Sequence, residues 1–140
     1  MPMKKLCFYL TILLTLGCKH ENNDLKFYQC EFRNSYWNTP LQKWINNKKE
    51  ALDLNLSFID KKLNQRNLDN LYKTKAHYIF GDWVSAKDCS AEIKNDTLYI
   101  TYKIFDPPEV ESTNPIICLE LNKMKYANYK ELKVVLIRNE

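Results

Sequence analysis

The chain has 140 residues, of which 45% are hydrophobic, 27% charged and 13% aromatic, with only two glycines and five prolines. That composition describes one compact domain and excludes collagen-like, low-complexity and disordered chains. Formal net charge is +4, but without Lys4 and Lys5 at the extreme amino terminus 19 basic residues stand against 17 acidic ones, dispersed along the chain; no basic stripe of the kind a nucleic-acid binder uses is present, so neither DNA nor RNA is expected as a partner.

Residues 1–17 open on Lys4-Lys5, continue through the apolar run Leu6 to Leu16 and end on the small residue Gly17, the three-part pattern of a secretory signal. The eleven residues of the run would span about 16 Å as a helix, against about 30 Å for a bilayer core, so they do not read as a transmembrane helix. The sequence Thr15-Leu16-Gly17-Cys18 resembles the lipobox of bacterial lipoproteins, in which a cysteine after a small residue is lipidated and becomes the first mature residue. The resemblance implies that Cys18 is the site of lipid attachment and that two or more acyl chains anchor the protein durably to a membrane surface without crossing it. Lys19, where retention at the inner membrane would use an Asp, points within the same resemblance to the outer membrane, facing the periplasm. Residues 18–24 are polar and read as a tether, and residues 25–140 as a single domain.

Export places the cysteines in an oxidising compartment. Of the five, Cys7 leaves with the signal and Cys18 would carry lipid, so Cys30, Cys89 and Cys118 remain for one disulfide and one free thiol. Cys89 paired with Cys118 is the preferred bridge and Cys30 paired with either is the alternative, because spacing alone does not fix connectivity.

Along the domain, Phe27, Tyr28, Cys30 and Phe32 mark a first strand between Leu25 and Phe32. Thr39-Pro40 resembles a helix start, and Leu41, Trp44, Ile45, Leu52, Leu56, Ile59 and Leu63 keep helical spacing, which predicts helix over residues 40–63, broken near Asn46-Asn47. Leu52, Leu54, Leu56 and Phe58 also alternate as a strand would, so periodicity does not separate helix from strand over residues 50–60. A second short helix is expected around Leu68 to Lys73. Strands follow: Ala76 to Val84 with a bend at Gly81-Asp82, a hairpin of Ala91–Ile93 and Thr97–Phe105 about Lys94-Asn95-Asp96, then Ile116–Leu121 and Leu132–Ile137. The fold class expected is therefore α+β, with an N-terminal helical half packed on a C-terminal antiparallel β meander.

Few residues point to chemistry. One histidine, His77, lies inside the domain, with His20 in the tether, and no cysteine pair has zinc-ligand spacing, so neither a metal site nor a catalytic cysteine is expected. One of the two glycines is in the signal, which leaves no phosphate-cradling loop and no nucleophile elbow. No catalytic residue, cofactor or enzymatic activity is expected on these grounds.

The segment Asp106-Pro107-Pro108-Glu109-Val110-Glu111-Ser112-Thr113-Asn114-Pro115 holds three of the five prolines and the carboxylates Asp106, Glu109 and Glu111 without a basic residue. Such a stiff acidic loop suits insertion into a basic cleft, whereas its plainer reading is a hairpin connection whose prolines protect a sheet edge. Tyr36 and Trp37, in an otherwise polar stretch, are the aromatic candidates for partner contact. A small exported lipoprotein with one domain and no catalytic set is similar in plan to inhibitors of cell-wall lysozymes and to immunity proteins against secreted toxins. The expectation is a membrane-anchored periplasmic protein-binding module that occludes a secreted toxin or cell-wall hydrolase, with a structural or assembly lipoprotein of the envelope as the alternative.

Overall fold

The computed structural model describes residues 24–32, 42–81, 84–104 and 116–139. In chain order these form β1 (Leu25–Phe32), β2 (Gln42–Ile45), helix α1 (Lys48–Asp53), β3 (Leu56–Phe58), helix α2 (Leu68–Thr74), β4 (Lys75–Gly81), β5 (Val84–Lys94), β6 (Thr97–Ile104), β7 (Ile116–Asn122) and β8 (Lys133–Asn139), with short 3-10 turns at Leu63–Gln65 and Tyr129–Glu131. The strands make a five-stranded sheet of order β2-β4-β7-β1-β3 and a three-stranded sheet of order β5-β6-β8.

Side-chain alternation sets the layers. In the central strands β4 and β7 both faces are buried, which is why Ala76–Phe80 and Ile116–Leu121 read as nearly continuous apolar runs. Tyr78, Phe80, Ile117 and Leu119 face the three-stranded sheet and pack on Leu98, Ile100 and Tyr102 of β6. The opposite face presents Ile79, Ile116 and Cys118, which pack with Cys30, Ile45, Phe58, Ala51 of α1 and Tyr72 of α2. The order of layers is thus helices, five-stranded sheet, three-stranded sheet, and each fully buried Ile, Leu or Phe contributes about 1.5–3 kcal/mol by leaving water.

This architecture corrects the expected fold class. It is predominantly β, with two short helices among the described residues, and the first half is not helical. Within residues 40–63 the chain forms strand β2, the six-residue helix α1 and strand β3. Trp44 and Ile45 lie on opposite faces of a strand: Trp44 meets Tyr78 edge-on at 5.1 Å between ring centroids, whereas Ile45 joins the helix-side core. Asn47 ends the strand and caps α1, its side chain accepting from the Glu50 N–H at 2.9 Å. Asn55, at φ 49°, adopts the left-handed conformation just past the helix and redirects the chain into β3. Two members of the helical-spacing set, Leu52 and Ile59, are 55% and 54% exposed, so the repeat that predicts a long helix is not a buried stripe.

The meander is corrected as well. β7 leaves its neighbours in sequence to sit between β4 and β1 in the other sheet, and β8 returns to pair parallel with β6. The short second helix and the β5–β6 hairpin occur where the sequence places them. The hairpin turns on Asn95 and Asp96 at φ 50° and 61°, the pair of positive values a two-residue type I′ turn requires.

Candidate functional site

Two features of the described residues bear on function, a buried polar cluster and a polarity between the two ends of the sheets. The cluster grows from register. His77 of β4 lies opposite Glu120 of β7 on the helix-facing side of the five-stranded sheet. His77 Nε2 is 2.8 Å from Glu120 Oε2, its Nδ1 is 2.9 Å from the Tyr72 hydroxyl, and Arg66 Nη1 donates to the same Glu120 oxygen at 2.9 Å. Rings enclose the group: Phe58 and Tyr72 stand edge-on to His77 at 5.5 and 5.4 Å, and the Arg66 guanidinium lies over Tyr28 and Phe58. Burial pushes the Glu120 carboxyl up, but hydrogen bonds and positive charge from His77 and Arg66 outweigh burial and hold it down at about 2. An ionised Glu120 only accepts, so the proton of that contact resides on Nε2.

This arrangement holds protons without exposing them. His77 is 0% exposed, so no solute reaches the ring. The cluster stitches α2 and the segment before it to the centre of the sheet, a role reinforced by Lys123, whose Nζ donates to the Asn46 and Tyr72 carbonyls at 2.8 and 2.6 Å. His77 is thereby a hydrogen-bonded sheet residue. Glu120 and Arg66 escape a sequence reading because their partners lie 43 and 54 residues away; the available signal is the single acid inside the apolar run Ile116–Leu121.

Cys30 and Cys118 form a disulfide, with Cα atoms 6.3 Å apart, and Cys89 is free. This is the alternative pairing and not the preferred Cys89 to Cys118. Tyr28 lies opposite Cys118 and Cys30 opposite Ile116 in the β1–β7 ladder, which makes the two cysteines diagonal neighbours on one face. Cys89 belongs to the other sheet, where burial first and Asp88 second push its thiol up to about 12.

The ends of the sheets differ in what leaves them. At one end, Cys30, Ile116 and Gly81 stand in one register row, Gln42 lies opposite Phe80, and Val84 opposite Ile104. From these positions the chain departs into residues 33–41 and 105–115. Tyr36, Trp37, Asp106, Glu109 and Glu111 belong to those segments and lie outside the described residues, as does Cys18. At the other end, Leu25 lies opposite Leu121, itself opposite Ala76, so the chain from the N-terminal segment enters the fold there. Lys125 of the β7–β8 connection pairs with Asp24 at this entry.

Among the described residues no group of three or more His, Cys, Asp or Glu is placed to hold a metal ion, and no helix is long and apolar enough to cross a membrane. A scan against protein-family models, a search of curated proteins and a search of solved structures each found no match to this chain.

Proposed function

We propose that the chain is a lipid-anchored, periplasm-facing protein-binding module that occludes a secreted toxin or cell-wall hydrolase, as an immunity or inhibitor protein does. The observation that carries this reading is the polarity of the sheets. The tether that would follow a lipidated Cys18 enters at Leu25, and the segments bearing Tyr36, Trp37, Asp106, Glu109 and Glu111 depart from the opposite end, beyond the Cys30–Ile116 row. Five residue steps along β1 separate Leu25 from Cys30, about 17 Å at strand rise. An anchor ahead of Leu25 would thus join the fold at the end opposite the row from which the segments bearing the candidate contact residues leave. The disulfide near that row ties β1, which residues 33–41 follow, to β7, which residues 105–115 precede.

The test is capture from envelope extract and culture medium with the wild-type chain and with Asp106→Asn, Glu109→Gln and Glu111→Gln combined. The reading expects a secreted hydrolase or toxin in one-to-one ratio with the wild type and its loss with the triple variant. Equal recovery by both removes the acidic segment from the interface, and recovery of envelope-assembly proteins alone favours a scaffold.

A further inference from the structure

The two sheets have four edges, and three of them are protected against pairing with another chain. β2 and β3 span only four and three residues. β5 carries a register shift between Val84 and Cys89 and exposes Lys87, Asp88, Glu92 and Lys94. Short, irregular or charged edges are the usual means by which sheets avoid edge-to-edge association. β8 is neither short nor irregular: it runs seven residues, Lys133–Asn139, in unbroken register with β6, contains no proline, keeps its two charges, Lys133 and Arg138, at or next to its ends, and has no strand on its far side among the described residues.

The orientation of its backbone follows from one bond. The Lys133 N–H donates to the Asp96 carbonyl at 3.1 Å, toward β6. Hydrogen-bonding groups alternate sides along a strand, so those of Val134, Leu136 and Arg138 turn to the free edge. Val134 and Leu136 pack their side chains inward, whereas Val135 and Ile137 lie on the outer face beside Tyr99 and Thr101 of β6, with Ile137 39% exposed.

We propose that this edge is an interface with a second copy of the chain, the two β8 strands pairing antiparallel about a two-fold axis at Leu136. The strand is complementary to itself in that register. Leu136 faces its own counterpart and Val134 faces Arg138 of the other copy, so every outward-turned backbone group meets another. Val135 then lies opposite Ile137 of the other copy, twice, giving apolar cross-strand pairs on the outer face. Lys133 meets Asn139 and Arg138 meets Val134, so no like charges oppose each other, and the closed two-fold leaves no strand end to propagate. The three-stranded sheets become one six-stranded sheet. This interface is separate from the partner-binding reading above and stands or falls without it.

Sedimentation of the full chain, purified from membranes in mild detergent, tests the proposal. The wild type is expected at twice the chain mass, Val135→Lys with Ile137→Lys at half that value, and Val135→Lys with Ile137→Glu again at twice. In the last variant each introduced lysine faces an introduced glutamate of the other copy, so recovery depends on this register and shows that the positions tolerate charge without unfolding. A wild type that stays monomeric over the accessible concentration range, including one whose edge instead takes a strand from a different protein, overturns the proposal. So does a dimer that survives the double lysine change or that the lysine–glutamate variant fails to restore.

Discussion

Glu120 is a buried charge at the centre of the five-stranded sheet. Its carboxylate receives hydrogen bonds from His77 and Arg66 in a setting where an unpaired partner would be costly. Glu120→Gln keeps the shape but not the charge and is expected to cost about 3 kcal/mol at neutral pH, the lower end for breaking a buried pair. The sign of the pH effect follows from the direction of the shift. The folded carboxyl is held near 2 against an ordinary 4.5, so its contribution is fully present above about 4.5 and is lost as pH falls toward 2. Denaturant titrations at a series of pH values should therefore show wild type and Glu120→Gln converging in acid and apart at neutrality. A gap that stays constant would show that the carboxylate is not held ionised by its partners.

At the scale of elements, the disulfide and the helices show how local rules meet tertiary ones. Cys30 and Cys118 are 88 residues apart in sequence, and closing a loop of that size restricts the unfolded chain by about 4.6 kcal/mol. Cys30→Ala with Cys118→Ala should lower the denaturation midpoint correspondingly, and a non-reducing peptide map should join the fragment holding Cys30 to that holding Cys118. A map joining Cys89 to either would contradict the geometry. The first strand, the Asn95-Asp96 hairpin and the strands near Ile116 and Leu132 were legible because alternation and turn chemistry act within a few residues. Residues 40–63 were not: Asn47 and Asn55 are short-range breaks, but whether the flanking apolar residues become strand depends on β4 and β1 being there to pair with them. The His77–Glu120 contact and the move of β7 into the other sheet share that cause, since cross-strand register between distant segments leaves no mark on local spacing.

For the whole molecule, the proposed anchor would join the fold at the Leu25 end, and the chain leaves for the candidate contact segments from the Cys30–Ile116 end. If Cys18 carries the lipid proposed above, Cys18→Ser should release the chain from the membrane while leaving its thermal stability unchanged, because residue 18 precedes β1 in the sequence. Retention of that variant on membranes would remove the lipid from the account. Occlusion itself is tested most directly by titrating the captured hydrolase or toxin with the purified chain and following its catalytic rate. With the wild-type chain the rate is expected to fall linearly to near zero at one chain per enzyme, and with the combined Asp106→Asn, Glu109→Gln and Glu111→Gln variant to stay unchanged. A partner that binds the wild-type chain at one-to-one ratio and keeps its full rate would contradict it.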